Sequence, residues 1–258
     1  MKILMLGDVV GDIGCDFLNC RLPGIKRLHQ LDLVVANGEN SAASNGVSFP
    51  SVRKLRNAGV DVITTGNHAF YNRQSSELFG KYNFLLRPAN SPPNSPGCGV
   101  FVCDKGGVQV CVINLIGRVF MPWASRSAFE TIDGILKKRQ KYKFTVVDFH
   151  AEATSEKKAM AFHLDGRVSA VVGTHTHVPT ADQQILPKGT AYVTDLGMVG
   201  PKLSVLGMDP VVAAGKFNGR GCPEYKLATG ECELCGVFLT LDEGTGKAIE
   251  IESLRVTE

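Results

Sequence analysis

Side chains that bind metal ions follow five short apolar segments of this sequence. Asp8 comes just after the segment 2–6, and His150 ends the segment 144–149. The full set is Asp8, Glu39, Asn40, Asn67, His68, His150, His175 and His177. Carboxylate, amide and imidazole groups without a thiolate suit manganese, iron or zinc in a reactive site better than a structural zinc site. Because the set exceeds what one tetrahedral ion needs, the sequence predicts two ions.

Two such ions predict a particular chemistry. About 3.5–4 Å apart and bridged by Glu39 and a hydroxide, they would lower the pKa of the bound water toward about 7. They would also stabilise the attacking oxygen and the leaving oxygen of an in-line displacement at phosphorus. His68 lies next to the candidate ligand Asn67 and is left over, so it is available to protonate a departing oxygen.

Several of these residues also have a simpler interpretation on their own. Asp8 fits a strand-end carboxylate or a helix cap, and His150 fits a core histidine. Glu39 and Asn40 follow Asn-Gly, which favours a plain turn. The sharpest motif is Gly-Thr-His-Thr-His at 173–177, where two histidines follow an apolar segment. The metal interpretation is favoured because all these residues share one position relative to the apolar segments.

The apolar segments predict the elements that position these side chains. Short apolar runs bounded by glycine are typical of buried strands, and ligands of open α/β sheets bind beyond the carboxyl ends of such strands. In the first third of the chain, strands at 2–7, 32–37 and 61–66 alternate with helices at about 12–29 and 48–58. Asp12 is expected to cap the first helix, and Gly59 is expected to end the second.

The rest of the chain predicts a second sheet. The segment 87–97 contains four prolines and is predicted to be a long loop. Further strands are predicted at 99–104, 108–115, 144–149, 169–173, 191–197, 235–242 and 247–255. Helices are predicted at about 126–141 and from Thr154, whose hydroxyl is expected to cap the helix. Parallel α/β units followed by antiparallel hairpins predict two packed sheets with outer helices in one domain, residues 1–258.

Composition excludes several classes of protein. The 258 residues are 44% apolar and 21% charged, with a net charge of +3, which is ordinary for a soluble globular protein. The basic cluster at 137–139 is interpreted as a solvated helix end, so the sequence gives no strong sign of binding to polymeric nucleic acid. No apolar run approaches the roughly 18 residues of a membrane helix, and no signal-peptide core is present.

The eight cysteines favour a reducing compartment. They are scattered at 15, 20, 98, 103, 111, 222, 232 and 235. Without a secretory signal they are interpreted as reduced thiols, and the sequence predicts a cytoplasmic protein. Cys232 and Cys235 have a C-x-x-C spacing but no second pair, so their role stays open.

The order of the motifs resembles that of the calcineurin-like metallophosphoesterases. The shared motifs are Gly-Asp at 7–8, Gly-Glu-Asn at 38–40, Gly-Asn-His at 66–68, the strand-end His150 and Gly-Thr-His-Thr-His at 173–177. Within that family the chain is similar to the YmdB-type branch, whose members hydrolyse phosphodiesters, notably 2′,3′-cyclic nucleotides. This similarity extends to segments 87–90, 148–156 and 186–192 and covers essentially the whole chain.

The resemblance implies a fold and an assignment of ligands. The implied fold is a four-layer α/β/β/α sandwich of two mixed sheets with outer helices. Asp8, Glu39, Asn40 and His177 would surround one metal ion. Asn67, His150, His175 and the bridging Glu39 would surround the other, with His68 close to the substrate. The expected cofactors are two ions per chain, iron or manganese, with zinc as an alternative.

The sequence also departs from the family pattern. The wider family usually has an acidic residue after the Gly-Asn-His histidine, and Ala69 stands there in this chain. The branch often carries Trp-Asp soon after, where this chain has Phe70 and Tyr71. Val10 replaces the histidine of the usual Asp-x-His motif, which would leave one ion with fewer nitrogen ligands. The group that orients His68 is therefore left open.

The sequence thus predicts a dinuclear phosphodiesterase that acts on a small nucleotide-like diester. A phosphomonoesterase is one alternative, because the same hydroxide can attack either ester. A nucleotide-sensing regulatory protein with slow turnover is another. Arg87 and Arg118 are candidate phosphate contacts because guanidinium groups suit phosphate, although a structural role fits them equally well. Metal identity, base preference and the number of subunits in a homo-oligomer stay open.

Overall fold

Two mixed sheets form the centre of the structure, a computed structural model that describes residues 1–43, 45–121, 126–138, 142–219, 224 and 226–257. In chain order the elements are β1 (Lys2–Val10), α1 (Gly11–His29), β2 (Leu33–Asn40), α2 (Phe49–Ala58), β3 (Val62–Thr64), α3 (Ser75–Lys81), β4 (Val100–Lys105), β5 (Val108–Ile116), α4 (Ala128–Lys138), β6 (Phe144–His150), α5 (Thr154–Leu164), β7 (Ala170–Thr174), β8 (Gln184–Ile185), β9 (Ala191–Val193), β10 (Met198–Pro201), α6 (Pro210–Phe217), β11 (Cys232–Leu241) and β12 (Ala248–Thr257).

Each sheet has a parallel centre and at least one antiparallel edge, and β3 is a parallel edge of the first sheet. The first sheet has the order β12-β11-β10-β1-β2-β3, in which β1 pairs in parallel with both β10 and β2. The second has the order β4-β5-β6-β7-β9-β8, in which β5, β6, β7 and β9 run parallel. Parallel neighbours bring several carboxyl ends to one edge of each sheet.

Three apolar layers hold the sheets and helices together. In β1, Leu4 and Leu6 pack toward the helices α1 and α2, whereas Ile3 and Met5 pack between the two sheets. This alternation follows from the two-residue period of a strand. A third cluster packs α4 and α5 on the outer face of the second sheet. The layers are therefore helix, sheet, sheet and helix, and the predicted fold class is confirmed.

The helix ends agree only partly with the predictions. Gly59 ends α2 with a φ of 103°, as expected for a left-handed cap. The prediction for Asp12 is wrong, because α1 starts directly after Val10 without a side-chain cap. Asp12 instead forms an ion pair with Lys54 at 2.9 Å. The helix predicted from Thr154 begins there, but its cap residue is Ala153, so the predicted hydroxyl cap is wrong.

The predicted strand at 191–197 is wrong in its extent. Residues 191–193 form β9 of the second sheet, and residues 198–201 form β10 of the first. The chain therefore crosses from one sheet to the other between them. The predicted helix at 126–141 is α4 over its described part, and residues 139–141 lie outside the described residues. The short elements α3, α6, β8 and β10 were not predicted.

The two cysteines of the C-x-x-C sequence lie within β11 and do not face each other. Cys232 and Cys235 are three residues apart in a regularly paired strand, so their side chains point to opposite faces. Both are buried, and none of the described cysteines forms a disulfide; Cys222 lies outside the described residues. This geometry does not favour a shared metal ion or a redox pair.

The proline-containing segment forms an irregular loop, as predicted. Asn90 is fully buried. Its Nδ2 donates to the carbonyl oxygen of Ile116, and its Oδ1 accepts from the N–H of Ile116, so the loop is held at the end of β5. Among the described helices, none combines the length and the apolar character that crossing a membrane requires.

Candidate metal centre

The carboxyl ends of the central strands of both sheets meet at one place. The register of β1 on β2 sets Asp8 opposite Asn37, and the register of β6 on β7 sets His150 opposite Thr174. The sheets are joined there because the backbone N–H of His175 donates to Asp8 Oδ2 at 3.1 Å. Two strands continue through their candidate ligands, since β1 extends to Val10 and β2 to Asn40, whereas β3 and β7 end before theirs.

Asp8, Asn40 and His177 form the first group of candidate ligands. Asn40 Nδ2 lies 3.4 Å from Asp8 Oδ1 and 3.1 Å from His177 Nε2. His177 Nε2 lies 3.6 Å from Asp8 Oδ1. The opposite ring nitrogen, Nδ1, donates to the carbonyl oxygen of Leu206 at 3.0 Å, which turns Nε2 toward the group. The atoms of these three side chains that approach one another are Asp8 Oδ1, Asn40 Nδ2 and His177 Nε2.

Asn67, His150, His175 and Glu39 form the second group. His150 Nε2 lies 3.0 Å from Asn67 Oδ1, 3.1 Å from His175 Nδ1 and 3.2 Å from Glu39 Oε1. Ligand atoms of Glu39, His150 and His175 all lie within 4.8 Å of one another, as in a metal site. The structure thus brings together every residue that the resemblance implied for the second ion.

His68 lies where the two groups meet. Its Nδ1 is 2.9 Å from Asn40 Oδ1, in the first group, and 3.1 Å from Glu39 Oε1, in the second. Its backbone N–H donates to Glu39 Oε2 at 3.1 Å, and the edge of the Tyr71 ring packs against the imidazole. These contacts engage Nδ1, so Nε2 is the ring nitrogen left for a substrate. Ala69, at the position of the usual acid, is buried in the apolar core.

The buried negative charges at this site favour the binding of cations. Asp8 and Glu39 are fully buried carboxylates whose close polar neighbours are imidazoles and amides. Burial alone would raise the pKa of Glu39, but His150 and His68 together hold it well below its usual value. Burial lowers the pKa of His150, and the Glu39 charge outweighs this and raises it to about 9. Two buried acids therefore hold protons on neighbouring imidazoles, and a cation would take the place of those protons.

The partners of His150 favour the tautomer that a metal requires. The Thr174 hydroxyl donates its single hydrogen to Asp148 Oδ1 at 2.7 Å, so it can only accept from His150 Nδ1, 2.9 Å away. The lone pair of the neutral ring is then on Nε2, which faces Glu39 and Asn67. Burial raises the pKa of Asp148 to about 6, while bonds from Thr64 and Thr174 oppose that rise. The donor set and its outer partners fit a metal centre.

Sequence reasoning missed several residues that hold the candidate ligands. Asp148 lies two positions before His150 in β6 and so shares its face, a signal that was available. Glu152 Oε2 lies 2.9 Å from His175 Nε2 and orients that ring. Asp195 and Lys157 carry no local signal, because their role depends on contacts between distant parts of the chain.

The backbone of both motif histidines is held in an unusual conformation. His175 has a φ of 110° and His177 a φ of 63°, values that non-glycine residues rarely adopt. Asp195 stabilises this turn by accepting from the N–H of Thr176 at 3.0 Å and of Gly197 at 2.9 Å. Lys157 pairs with Asp195 at 2.7 Å, and both side chains are almost completely buried. The turn therefore depends on a buried ion pair.

Replacing Lys157 by methionine is expected to destabilise the protein. The change leaves the buried Asp195 carboxylate without its cation, and loss of one partner of such a pair costs about 3–5 kcal/mol. Denaturant unfolding followed by circular dichroism measures this free energy. The adjacent Lys158 is the matched control, because its pair with Asp182 is long, at 3.8 Å, and exposed. Lys158→Met should cost at most about 1 kcal/mol, and equal losses in the two variants would contradict the assignment.

Gly66 provides space for two members of the second group, Glu39 and His150, and Gly66→Ala is expected to impair the centre. A methyl group there would overlap Glu39 Oε2 and the imidazole of His150. A displacement of about 1 Å in such a site can reduce activity about 10²-fold, and bound metal measured after dialysis should fall with it. Gly80→Ala in α3 is the control, since nothing lies within 4 Å of the added carbon. Normal metal content and activity in Gly66→Ala would show that the ligands do not need this space.

The two candidate phosphate contacts lie apart from the ligand groups. Arg87 donates to the carbonyl oxygens of Pro88, Ser95 and Pro96, which fixes the proline-containing loop. The backbone N–H of Arg118 donates to Glu156. Within the described residues neither guanidinium bonds to a candidate ligand, and both line a separate cleft.

This fold and this set of side chains define a calcineurin-like phosphoesterase. The chain belongs to the YmdB-like protein family, which it matches over residues 4–254. It is 40% identical to a Bacillus subtilis protein named 2′,3′-cyclic-nucleotide 2′-phosphodiesterase, over 100% of this chain and 98% of the relative. The predicted family is confirmed, and so is the predicted class of enzyme, a hydrolytic phosphoesterase.

Two solved structures have the same fold over the whole chain. A hypothetical protein from Thermus thermophilus superposes with a TM-score of 0.93 at 39% identity and covers 100% of both chains. A protein from Mycoplasma pneumoniae described as a novel phosphatase superposes with a TM-score of 0.94 at 35% identity, over 100% of this chain and 93% of that one.

Proposed function

We propose that this chain is a dinuclear metal-dependent phosphodiesterase that hydrolyses 2′,3′-cyclic nucleotides. The observation that carries the proposal is that two groups of candidate ligands, from the ends of both sheets, meet at His68, which contacts Asn40 of the first group and Glu39 of the second. Because the groups come from both sheets, we also propose that residues 1–258 act as one catalytic domain. The name of the Bacillus subtilis relative supports the substrate class.

Seven residues would hold the ions. Asp8, Asn40 and His177 would bind one, and Asn67, His150 and His175 would bind the other, with Glu39 between them. When bound, such a pair supplies an activated water and neutralises charge that develops on the phosphoryl oxygens. The absence of a thiolate ligand favours iron or manganese, with zinc as the alternative.

The residues of the chain then have distinct tasks. The buried carboxylates Asp8 and Glu39 hold the cations, and the Asp148–Thr174 pair fixes the tautomer of His150. In its imidazolium form, His68 donates the Nε2 proton to the departing ribose oxygen, while the Nδ1–H stays engaged with Asn40 and Glu39. The leaving oxygen of a cyclic diester remains attached to the same sugar. This tether preserves its alignment with His68, and correct positioning lowers a barrier by several kcal/mol, about 7–11 at the limit.

We expect hydrolysis of 2′,3′-cyclic AMP to a nucleoside monophosphate, with little further release of inorganic phosphate. A single negative charge and a strained five-membered ring suit two adjacent cations without additional arginines. We place the broken ester bond at the 2′ oxygen, the bond that the relative's name specifies. Chromatography separates the 2′ and 3′ monophosphates, and a phosphate assay detects any second step.

A phosphomonoesterase is the second candidate, favoured by the description of the Mycoplasma pneumoniae structure as a phosphatase. The same incubations decide between the two, with 3′-AMP and 5′-AMP as matched monoester substrates. Rapid phosphate release from either monoester, with the cyclic diester left intact, would replace the phosphodiesterase proposal by the phosphatase one. Binding of 2′,3′-cyclic AMP without turnover in the metal-loaded protein would instead indicate a nucleotide sensor.

A further inference from the structure

A second cleft lies beside α4, at the edge of the second sheet where β4 begins. Its volume is about 760 Å³, within the range of small-molecule sites. The charged residues that line it are Arg87, Arg118, Arg126, Lys138 and Glu130. None of the candidate metal ligands lines this arginine cleft, so it is distinct from the metal centre.

The arginine cleft has an unbalanced positive charge. It contains four cationic side chains and one carboxylate, a formal net charge of +3. Within the described residues, none of the four cations forms an ion pair, although ion pairs occur elsewhere in the chain, for example between Arg167 and Asp133. Repulsion between like charges in one cleft costs free energy unless an anion is bound.

Arg87 adds a fixed guanidinium to this cleft. It is half-buried, and its three hydrogen bonds, at 3.2, 2.8 and 3.4 Å, all go to neutral carbonyl oxygens of the loop. Burial lowers the pKa of Arg87, and the nearby charge of Arg126 lowers it further. A guanidinium has five N–H groups, so two remain for a ligand. The loop therefore holds a positive charge in place without neutralising it.

We propose that the arginine cleft binds an anion with linked phosphates, as in pyrophosphate or a nucleoside diphosphate. Arginine side chains suit phosphate because their N–H groups match pairs of phosphoryl oxygens. Pyrophosphate and a nucleoside diphosphate each carry about three negative charges, which match the formal net charge of +3 of the cleft. A cyclic diester carries only one negative charge. The proposal is therefore separate from the proposed catalytic function and does not depend on it.

The cleft also adjoins the metal centre through one short segment. The N–H of Gly117 donates to the carbonyl oxygen of His150 at 2.9 Å, and the next residue is Arg118. The N–H of Arg118 is fixed by Glu156 Oε1 at 2.9 Å. The backbone of Arg118 is therefore held next to the strand end that carries His150.

Calorimetric titration tests the proposal with two probes, inorganic pyrophosphate and ADP, at fixed ionic strength. The full chain is titrated as purified and again after chelation of its metals, which prevents hydrolysis and removes binding at the metal centre. We expect binding to survive chelation. Arg126→Ala and Arg118→Ala should each weaken it about tenfold or more, since a charged hydrogen bond is lost. Arg87 is not used, because its replacement would disturb the loop.

Arg27→Ala is the matched control. Arg27 is exposed on α1, which covers the other sheet, so the variant removes the same charge without touching the arginine cleft. Equal weakening in Arg27→Ala would show a general charge effect and overturn the proposal. Loss of binding on chelation, with normal binding in Arg126→Ala, would place the anion at the metal centre and also overturn it.

The two probes identify the source of the phosphate. Tighter binding of ADP than of pyrophosphate, lost in Arg126→Ala, supports a nucleotide as the ligand. Equal binding of the two, lost in the same variant, supports recognition of the linked phosphates alone. Orthophosphate bound as tightly as pyrophosphate would contradict the proposed match of charge.

Discussion

Glu39→Gln is expected to remove metal and activity together while the fold survives. The substitution keeps the shape of the side chain but removes the negative charge proposed to lie between two cations. Loss of an outer partner of a metal ligand already costs about 10–100-fold in affinity or activity, so loss of a bridging ligand should cost at least as much. Metal analysis after gel filtration and hydrolysis of an artificial diester measure the two effects on the same sample.

The isosteric control for this variant is Glu233→Gln. Glu233 is also buried and pairs with Arg255 at 2.8 Å, but it lies in β11 and contacts no candidate ligand. It should retain metal and turnover, which separates the loss of a bridging charge from the general loss of a buried carboxylate. Two ions per chain and near-normal turnover in Glu39→Gln would show that Glu39 is not the bridge.

The candidate ligands were predictable from sequence because local patterns decide where they lie. Apolar segments specify buried strands, and parallel strands bring their carboxyl ends to one edge. Asp8 and Glu39, on the neighbouring strands β1 and β2, could therefore be assigned to one edge. His150 lies in the other sheet and reaches them only because the edges of the two sheets meet. The family resemblance then divided the ligands into two groups, and the structure brings the members of each group together.

The remaining features depend on contacts that no local pattern reveals. Asp195 and Lys157 are 38 residues apart, and their pairing fixes a turn in a third segment. The prediction of one strand at 191–197 failed because residues 191–193 pair in the second sheet, and residues 194–197 connect them to β10 of the first. Asp12 looked like a cap, but a strand that runs directly into α1 leaves it with Lys54 as its partner. The spacing of residues in the sequence does not reveal such contacts between distant segments.

His68 lacks the acidic neighbour usual in the wider family, and the structure provides other partners for it. Asn40 Oδ1 and Glu39 Oε1 both lie about 3 Å from His68 Nδ1, at 2.9 and 3.1 Å, and Tyr71 packs against the ring. Two proposed metal ligands therefore take over the orienting role. Because the ring is held through Nδ1, a catalytic role for this residue must act through Nε2.

His68→Ala is expected to retain metal and to lose about 10²–10⁴-fold in rate on substrates with a poor leaving group. A ribose oxygen leaves as a strong base and needs a proton, whereas nitrophenolate leaves with little assistance. The rate on a nitrophenyl diester should therefore fall much less than the rate on 2′,3′-cyclic AMP. His163→Ala is the control, because His163 also pairs with a carboxylate, Asp133 at 2.9 Å, but lies on α5. Equal losses of His68→Ala on both substrates, or loss of metal, would assign His68 to positioning or metal binding instead of proton transfer.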